Sequence, residues 1–421
     1  SERTELLERG KVQTPPYESY IGGVFISGWA RFAHRFTQYY RTADLWTPPR
    51  LRTREWMFIP FGGGTPLRHK SFTDMQSVRN FLCERPQHSC FYSTAYWKRP
   101  HELKMADKDW LGADLIFDLD GDHLPGVTDK DFPAMIDVIQ EQAWSLWNDF
   151  LEPDFGFKEE FLQVTFSGHR GFHLHYRDPK FFHLDSEARR ELVSHIRGEG
   201  VEVSDLLERA RNPNAKGWAR RVNRGINSVV GKLDRIYAGD TKLLNSLTAA
   251  LKEMMEREGI KGLRGKASVE KLAELMQAET RRDRVLNGRL VALNNHALLF
   301  QNLIRADTSV VLGSAGETDE VVTIDTRRQI RWPGSLHGKS GMRVTEFPLS
   351  RLDPDKSSSF DCLSEGIALS RQDTVCVEMI VDDAVARFDD RVIDSPAGEV
   401  IEIHEAGATF LILKGWAKLH N

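Results

Sequence analysis

Residues 114 to 122 read DLIFDLDGD, an apolar run that carries Asp118 and Asp120 two residues apart where it ends. Side chains alternate along a strand, so Leu115, Phe117 and Leu119 take one face while Ile116, Asp118 and Asp120 take the other. Two residues of strand span roughly 6.6 Å, which places two like charges close together and partly out of water. Such a pair calls for a solvated loop mouth, basic neighbours or a divalent cation, and oxygen ligands on one face suit Mg²⁺ or Mn²⁺. The same pattern also ends an ordinary strand and begins a turn at Gly121.

A chain of 421 residues, 40% hydrophobic and 28% charged, is long enough for two or three domains of ordinary globular composition. No run approaches the ~18 apolar residues of a membrane span. The start, SERTELLERGKVQ, lacks the basic-then-apolar layout of a signal peptide, so the expectation is no membrane and a cytoplasmic, intracellular location. The four cysteines, Cys83, Cys90, Cys362 and Cys376, make no Cys-x-x-Cys knuckle. Cys83, His88 and Cys90 lack an evident fourth zinc ligand, and lone cysteines are usually small buried hydrophobes.

A formal net charge of −4 gives no global sign of nucleic-acid binding, but the charge is unevenly placed. Between residues 209 and 235, Arg209, Arg211, Lys216, Arg220, Arg221, Arg224, Lys232 and Arg235 face a single Asp234. Between 327 and 343, Arg327, Arg328, Arg331, Lys339 and Arg343 meet no acid at all. Both runs suit phosphates, and both also fit a solvated face.

Periodicity predicts an α+β chain. Residues 1–27 read as a loose arm, 28–352 as a mixed β-sheet core flanked by helices, 353–361 as a linker and 362–421 as a small β-rich module. Within the core, helices are expected at 28–43, 71–86 and 131–151, and a mainly helical region at 185–302. Strands are expected at 54–61, 89–97 and 114–120, at VVTIDT and MRVTEF, and as two strands joined by a glycine turn over 162–178. In that pair, SGHRGFHLHY alternates Phe172, Leu174 and Tyr176 with His173 and His175, which turns both histidines away from the apolar side. Glycines such as Gly168 let backbone N–H groups approach an anion, and Ser167, Arg170 and His173 add donors for phosphate oxygens. RWPGSLHGKSGMR offers a second phosphate loop through His337 and Lys339. A hairpin with surface polar residues and a common basic loop are the plain alternatives.

Taken together and in this order, REWMFIPF, PLRHKSF, LIFDLD, SGHRGFH, TIDTRR and RWPGSLHGKSG resemble the catalytic small subunit of archaeal and eukaryotic-type DNA primases, the archaeal members most. The resemblance runs from about residue 28 to 350. It implies that Asp118 and Asp120 hold Mg²⁺ or Mn²⁺ at a two-metal catalytic site, with Asp325 of TIDTRR as the third carboxylate. It implies triphosphate binding by Ser167, Gly168, Arg170 and His173 and by His337 and Lys339, with Arg331 and Arg68 as further basic positions. The implied activity is synthesis of short RNA or DNA primers on single-stranded DNA by nucleotidyl transfer with release of pyrophosphate. The implied partners are a large iron–sulfur subunit in a heterodimer, the template strand, the primer duplex and nucleoside triphosphates.

Two features depart from that pattern. Many members carry a Cys/His zinc module soon after the aspartate strand, whereas GDHLPGVTDKDFPAM has no cysteine, so structural zinc is not expected. Residues after 355 are similar to a β-rich tail of some archaeal members and carry no assigned role. Three other readings compete: a primase-polymerase of repair or plasmid replication, a non-catalytic nucleic-acid-binding subunit, and a metal-dependent phosphodiesterase. No helicase or ligase motif accompanies the core, and a binding-only protein gains nothing from crowded like charges. The 209–235 run is the expected template contact, and the helical region is expected to expose an apolar patch to the partner.

Overall fold

The computed structural model describes residues 18–21, 24–121, 128–198, 202–212, 214–257, 259, 265–307 and 320–420. Two compact units emerge, one within Ser1–Trp144, Glu159–Arg190 and Thr318–Asn421, the other within Ser145–Lys158 and Glu191–Glu317. No helix among the described residues is long and apolar enough to cross a membrane.

The first unit holds β1 (Glu18–Ile21), β2 (Val24–Ser27), β3 (Trp56–Pro60), β4 (Leu67–Lys70), β5 (Gln87–Ser93), β6 (Ala95–Trp97), β7 (Trp110–Ala113), β8 (Leu115–Asp120), β9 (Leu162–Phe166), β10 (Gly171–Tyr176), β11 (Gln329–Arg331) and β12 (Thr345–Phe347). Two four-stranded sheets organise it, ordered β12-β9-β10-β8 and β11-β5-β3-β4, and all their ladders are antiparallel. The second sheet is built from aromatic strand formers: Trp56, Phe58 and Tyr92 are fully buried, and the Trp332 ring meets Trp56 edge-on at 5.1 Å. The helices Gly28–Thr42 and Met75–Glu84 supply Phe36, Tyr40, Val78 and Leu82 to the same core. Asp74 starts the second of them by accepting the Ser77 N–H at 2.8 Å. The helix expected at 131–151 runs from Phe132 to Leu146 and passes into a π turn at Trp147–Leu151.

A buried charge ties the two sheets together. Asp114, just before β8, receives Arg54 at 2.9 Å and Arg177 at 3.1 Å, and the Tyr96 hydroxyl donates to its other oxygen. Arg54 also donates to the carbonyls of Ser93 and Thr94, and Arg177 to Gln163 and the Tyr92 hydroxyl, so strands of both sheets converge on one carboxylate. Burial alone would push the Asp114 carboxyl up, yet Arg54 and Arg177 outweigh it and hold the group below the usual carboxylate range.

Four sequence expectations are corrected. VVTIDT is not a strand: Glu320–Ile324 is a short helix, because Thr323 turns its hydroxyl to the Ile116 carbonyl at 2.7 Å and the segment packs on β8 instead of joining a sheet. The tail is β-rich, with a three-stranded sheet of Thr374–Met379, Val400–His404 and Ala417–Leu419 and a hairpin of Val385–Phe388 and Arg391–Asp394, but the stretch Glu405–Leu413, read as part of the β module, is a buried helix. That helix is apolar around its whole circumference, so it has no 3.6-residue stripe to separate it from a strand. In the expected linker, Phe360 is buried and stacks on Phe347 at 4.0 Å, pinning the loop's end. His173 and His175 lie on a strand buried on both faces, where His175 meets Thr165 at 3.3 Å. Of the N-terminal arm, β1 and β2 pair as a hairpin, and residues 1–17, 22 and 23 lie outside the described residues.

The second unit is helical, as 185–302 predicted, and the stripe Leu244, Leu247, Leu251, Met254 and Met255 is buried in its core. Several of the 209–235 basic side chains are paired within this unit, but only Arg221 among them is buried. Arg221 is buried over the Phe150 and Trp218 rings and donates to the Asp149 carbonyl, Arg224 pairs with Asp149, Lys232 with Asp307, and Arg235 with Asp240.

The Asp114 node predicts a specific instability. Asp114→Asn leaves two buried guanidinium groups facing a neutral amide, and urea unfolding at pH 7 should show a loss of about 3–5 kcal/mol. Because the folded carboxyl titrates below its unfolded value, its contribution is present above the ordinary carboxylate pKa and fades as pH falls through the folded value, so the difference from wild type should shrink in acid. A loss that stays constant across acid pH would contradict the charge account.

Candidate active site

β8 and β10 pair in a register that sets His173 opposite Asp118 and Gly171 opposite Asp120. The His173 Nε2 lies 3.2 Å from Asp118 Oδ1 as a result. Burial pushes the Asp118 carboxyl up, but His173, Arg328 and Arg331 outweigh it and hold the group below its usual value. Asp120 is half exposed at the end of the strand, with Arg170 Nε 3.8 Å away, and Arg170 also reaches to 4.0 Å from Asp129. Gly171 makes the close pairing possible: a Cβ there would lie 2.4 Å from the Leu119 carbonyl oxygen.

The turn between β9 and β10 packs on the loop after β11. The Ser167 hydroxyl accepts N–H groups from Gly171 at 3.0 Å and His169 at 3.4 Å, bracing the turn from within. Gly168 takes φ +81°, and a Cβ there would lie 2.9 Å from the His337 Cβ. Ser340 donates its hydroxyl to the Gly168 carbonyl, and the backbone of Gly338 lies against the His88 ring, so neither loop can shift alone. His337 Nδ1 accepts the Lys339 N–H at 3.1 Å, which assigns its proton to Nε2. Burial drives His169 and His337 well below the ordinary histidine value and His88 down to about 4, so all three rings are neutral at pH 7.

These elements enclose a cavity of about 190 Å³. The structure brings Asp118, Asp120, Ser167, Arg170, His173, Arg331, His337 and Lys339, which the sequence placed on the aspartate strand and in two separate loops, to its wall. Arg331 stands with its guanidinium 4.8 Å from the centre of the Phe91 ring. Burial lowers it to about 10, against the pull of Asp120 and Asp118. Four cations, Arg170, Arg328, Arg331 and Lys339, thus face two carboxylates, an excess of positive charge that suits a ligand with several negative charges.

Sequence reasoning passed over His169, Phe91 and Gln329, which also line the cavity, and named Arg328 only as part of the 327–343 basic run. His169 stands inside the SGHRG turn between the chosen Gly168 and Arg170, and Arg328 is the second arginine of TIDTRR. Phe91 and Gln329 come in only through the β5–β11 ladder, which pairs Arg331 with Phe91 across more than two hundred residues of chain.

Three chosen residues are not on the wall: Gly168 lies in the turn behind it, and Asp325 and Arg68 stand elsewhere. Asp325 is not among the cavity-lining residues; its carboxylate accepts the Arg327 N–H at 2.8 Å at the turn into β11. Arg68 is on β4, half exposed, and pairs with Glu55 at 3.8 Å. Among the described residues no group of three or more His, Cys, Asp or Glu side chains could hold a metal ion. Cys90 is buried against the Tyr40 hydroxyl at 3.7 Å and His88 bonds Ser89 at 2.9 Å, in keeping with ordinary packing. Two carboxylates at the mouth of a phosphate-sized cavity fit Mg²⁺, which typically takes one or two protein carboxylates and fills its remaining positions with water and substrate phosphate.

Carboxylates and cations from both four-stranded sheets and the loop after β11 thus face one cavity, the chemistry expected of a protein that handles phosphates. Residues 117–349 match the family described as DNA primase small subunit. The chain is similar to the DNA primase small subunit PriS of Methanococcoides burtonii, 36% identical over 346 residues, which cover 80% of this chain and 85% of the relative. It is 34% identical to the protein of that name from Methanothrix thermoacetophila over 408 residues, covering 91% and 97%, and 33% identical to that of Haloarcula marismortui over 405 residues, covering 91% and 96%. The chain belongs to the DNA primase small subunit family. It is a DNA primase of the archaeal type, the catalytic subunit, and thus a nucleotidyltransferase of DNA replication.

The β8–β10 contact generates a prediction. Gly171→Ala should force the histidine strand away from Leu119 and lower both the melting temperature and nucleotide incorporation. Gly231→Ala, in open space within the helix Gly217–Tyr237, should raise stability by up to about 1 kcal/mol and leave incorporation unchanged. Equal behaviour of the two variants in thermal melts would refute the close-approach account.

Proposed function

We propose that the cavity binds the triphosphate of an incoming nucleotide and that Asp118 and Asp120 hold the divalent cation, Mg²⁺ or Mn²⁺, of primer synthesis. The observation that carries this reading is the pairing of Asp118 with His173 at the rim of a cavity walled by Arg170, Arg331, His337 and Lys339. When bound, divalent cations would offset phosphate charge and stabilise the attacking and leaving oxygens. Asp325 is proposed as the third carboxylate of a two-metal set, as the family resemblance implies.

The reaction is attack of a 3′-hydroxyl on the α-phosphorus, forming a phosphodiester as the bond to pyrophosphate breaks. Arg170, Arg331 and Lys339 bind the β and γ oxygens as fixed cations, and the His337 Nε2–H donates without adding charge. His173 holds Asp118 by its Nε2 and keeps that carboxylate ionised and oriented. The turn N–H groups and Ser167 shape the floor. Positioning and charge stabilisation carry most of the catalysis in phosphoryl and nucleotidyl transfer, and preformed donors meet that requirement without reorganisation.

The template and the primer duplex are held through their backbones, with contacts from Arg209, Lys216 and Arg220, which are exposed on the second unit. The relatives are named as small subunits, and we place a large, iron–sulfur partner on the exposed apolar side chains Tyr237, Val291 and Leu298 of the helical unit.

Asp118→Ala, Asp120→Ala and Asp325→Ala are each expected to reduce synthesis on single-stranded DNA by roughly a thousandfold or more, with no further loss when two are combined, because the groups act as a unit. Incorporation of labelled nucleotide with Mg²⁺ or Mn²⁺, with and without a supplied primer, measures this. Full activity of Asp118→Ala would defeat the assignment, and cleavage of DNA without nucleotides would favour the phosphodiesterase reading. Template affinity should fall steeply between 50 and 200 mM salt, by about tenfold or more for several phosphate contacts.

A further inference from the structure

The tail of the chain, which the family match to residues 117–349 does not include, reaches the back of the nucleotide cavity. Its helix Glu405–Leu413 is anchored at the start, where buried Glu405 meets Arg35 at 2.6 Å and Arg31 at 4.0 Å. Its middle rests on the His337 loop: a Cβ on Gly341 would lie 2.8 Å from the Thr409 side chain. Phe410 meets Phe132 edge-on at 4.9 Å. Immediately after the helix comes Lys414, whose Nζ lies 3.3 Å from His169 Nε2 and over the rings of Phe132 and Trp416 at 5.4 and 4.9 Å.

Hydrogen-bond chemistry fixes what that contact does. An ammonium has donors and no acceptor, so His169 Nε2 accepts and the ring keeps its proton on Nδ1. The same ring stacks on His337 with centroids 4.9 Å apart and planes 27° apart. His337, held from its other side by the Lys339 N–H, carries its proton on Nε2. A line of contacts therefore runs from Lys414 through His169 to the ring that lines the cavity, while Lys414 itself is not part of the cavity wall.

We propose that Lys414 is a positioning residue for the nucleotide site: by donating to His169 it fixes the tautomer and plane of that ring and, through the stack, the plane from which His337 meets a phosphate oxygen. The proposal rests on the reading of the cavity as the triphosphate site. It assigns the C-terminal segment a part in nucleotide binding as well as in packing.

The test uses the full chain and separates KM for nucleotide from kcat in primer extension, with melting temperature measured alongside. Lys414→Met keeps the apolar stem over Phe132 and Trp416 and removes the donor. It should raise KM roughly five- to tenfold, the scale of one positioned hydrogen bond, with kcat and melting temperature little changed. Lys414→Arg should recover most of the loss. In a His337→Ala background the Met variant should add nothing further, because both changes act on one line of contacts. An unchanged KM for Lys414→Met, a fall in melting temperature without a change in KM, or an effect that multiplies in full with His337→Ala would each overturn the proposal. If His337→Ala alone leaves KM unchanged, the triphosphate reading fails, and the positioning role fails with it.

Discussion

Asp114 is a charge removed from water, and the chain around it is arranged to keep that charge paired. It stands immediately before β8, and Arg177 immediately after β10, so one ion pair closes the ladder at the end away from the site. At the other end of the same six-residue ladder stand Asp120 and Gly171. A strand slipped by one residue would turn its entire set of side chains to the opposite face. The node therefore does more than stabilise: with β8 clamped at its start, Asp118 can face only His173, and the carboxylates can point only into the cavity. Breaking one partner of such a node costs far more than the pair contributes over an apolar replacement, which makes it a device for register as much as for stability.

The site itself balances opposing electrostatic demands. On the proposed reading, two carboxylates of one strand must stay ionised while a polyanion is attracted to the same cavity. Arg170, Arg328, Arg331 and Lys339 meet both needs, offsetting the aspartates while leaving a positive excess. Adding two protonated imidazoles to that set would repel neighbouring cations, and burial prevents it: His169 and His337 are held neutral, so they serve as oriented donors. The tautomers follow from their partners, Lys414 on one ring and the Lys339 N–H on the other.

Which parts were legible beforehand follows from where their determinants lie. The aspartate strand, the glycine turn and the His337–Lys339 loop are local patterns, with period two, φ-permissive glycines and donor residues within a few positions, and the chain reports them directly. The α+β class and the buried stripe of Leu244 to Met255 are local in the same sense. What escaped is set by distant partners. Val322 and Thr323 have strand composition, yet the hydroxyl bond to Ile116 and packing on β8 make their segment helical. The uniformly apolar helix Glu405–Leu413 carries no period to read. Phe91 joins the cavity wall, and Lys414 reaches His169 from behind it, only because a ladder and a terminal helix bring them there, and Asp325 was chosen by family pattern, which no spacing in the chain could have singled out.

The central claim is that the aspartate strand and the two phosphate loops form one nucleotide site. A crystal structure of the protein soaked with Mn²⁺ and a non-hydrolysable nucleoside triphosphate tests it most directly, since manganese marks its own position by anomalous scattering. The account predicts anomalous density against Asp118 and Asp120, with the β and γ phosphates between Arg170 and His337. Manganese or triphosphate bound away from this cavity, with the cavity itself filled by solvent, would contradict it.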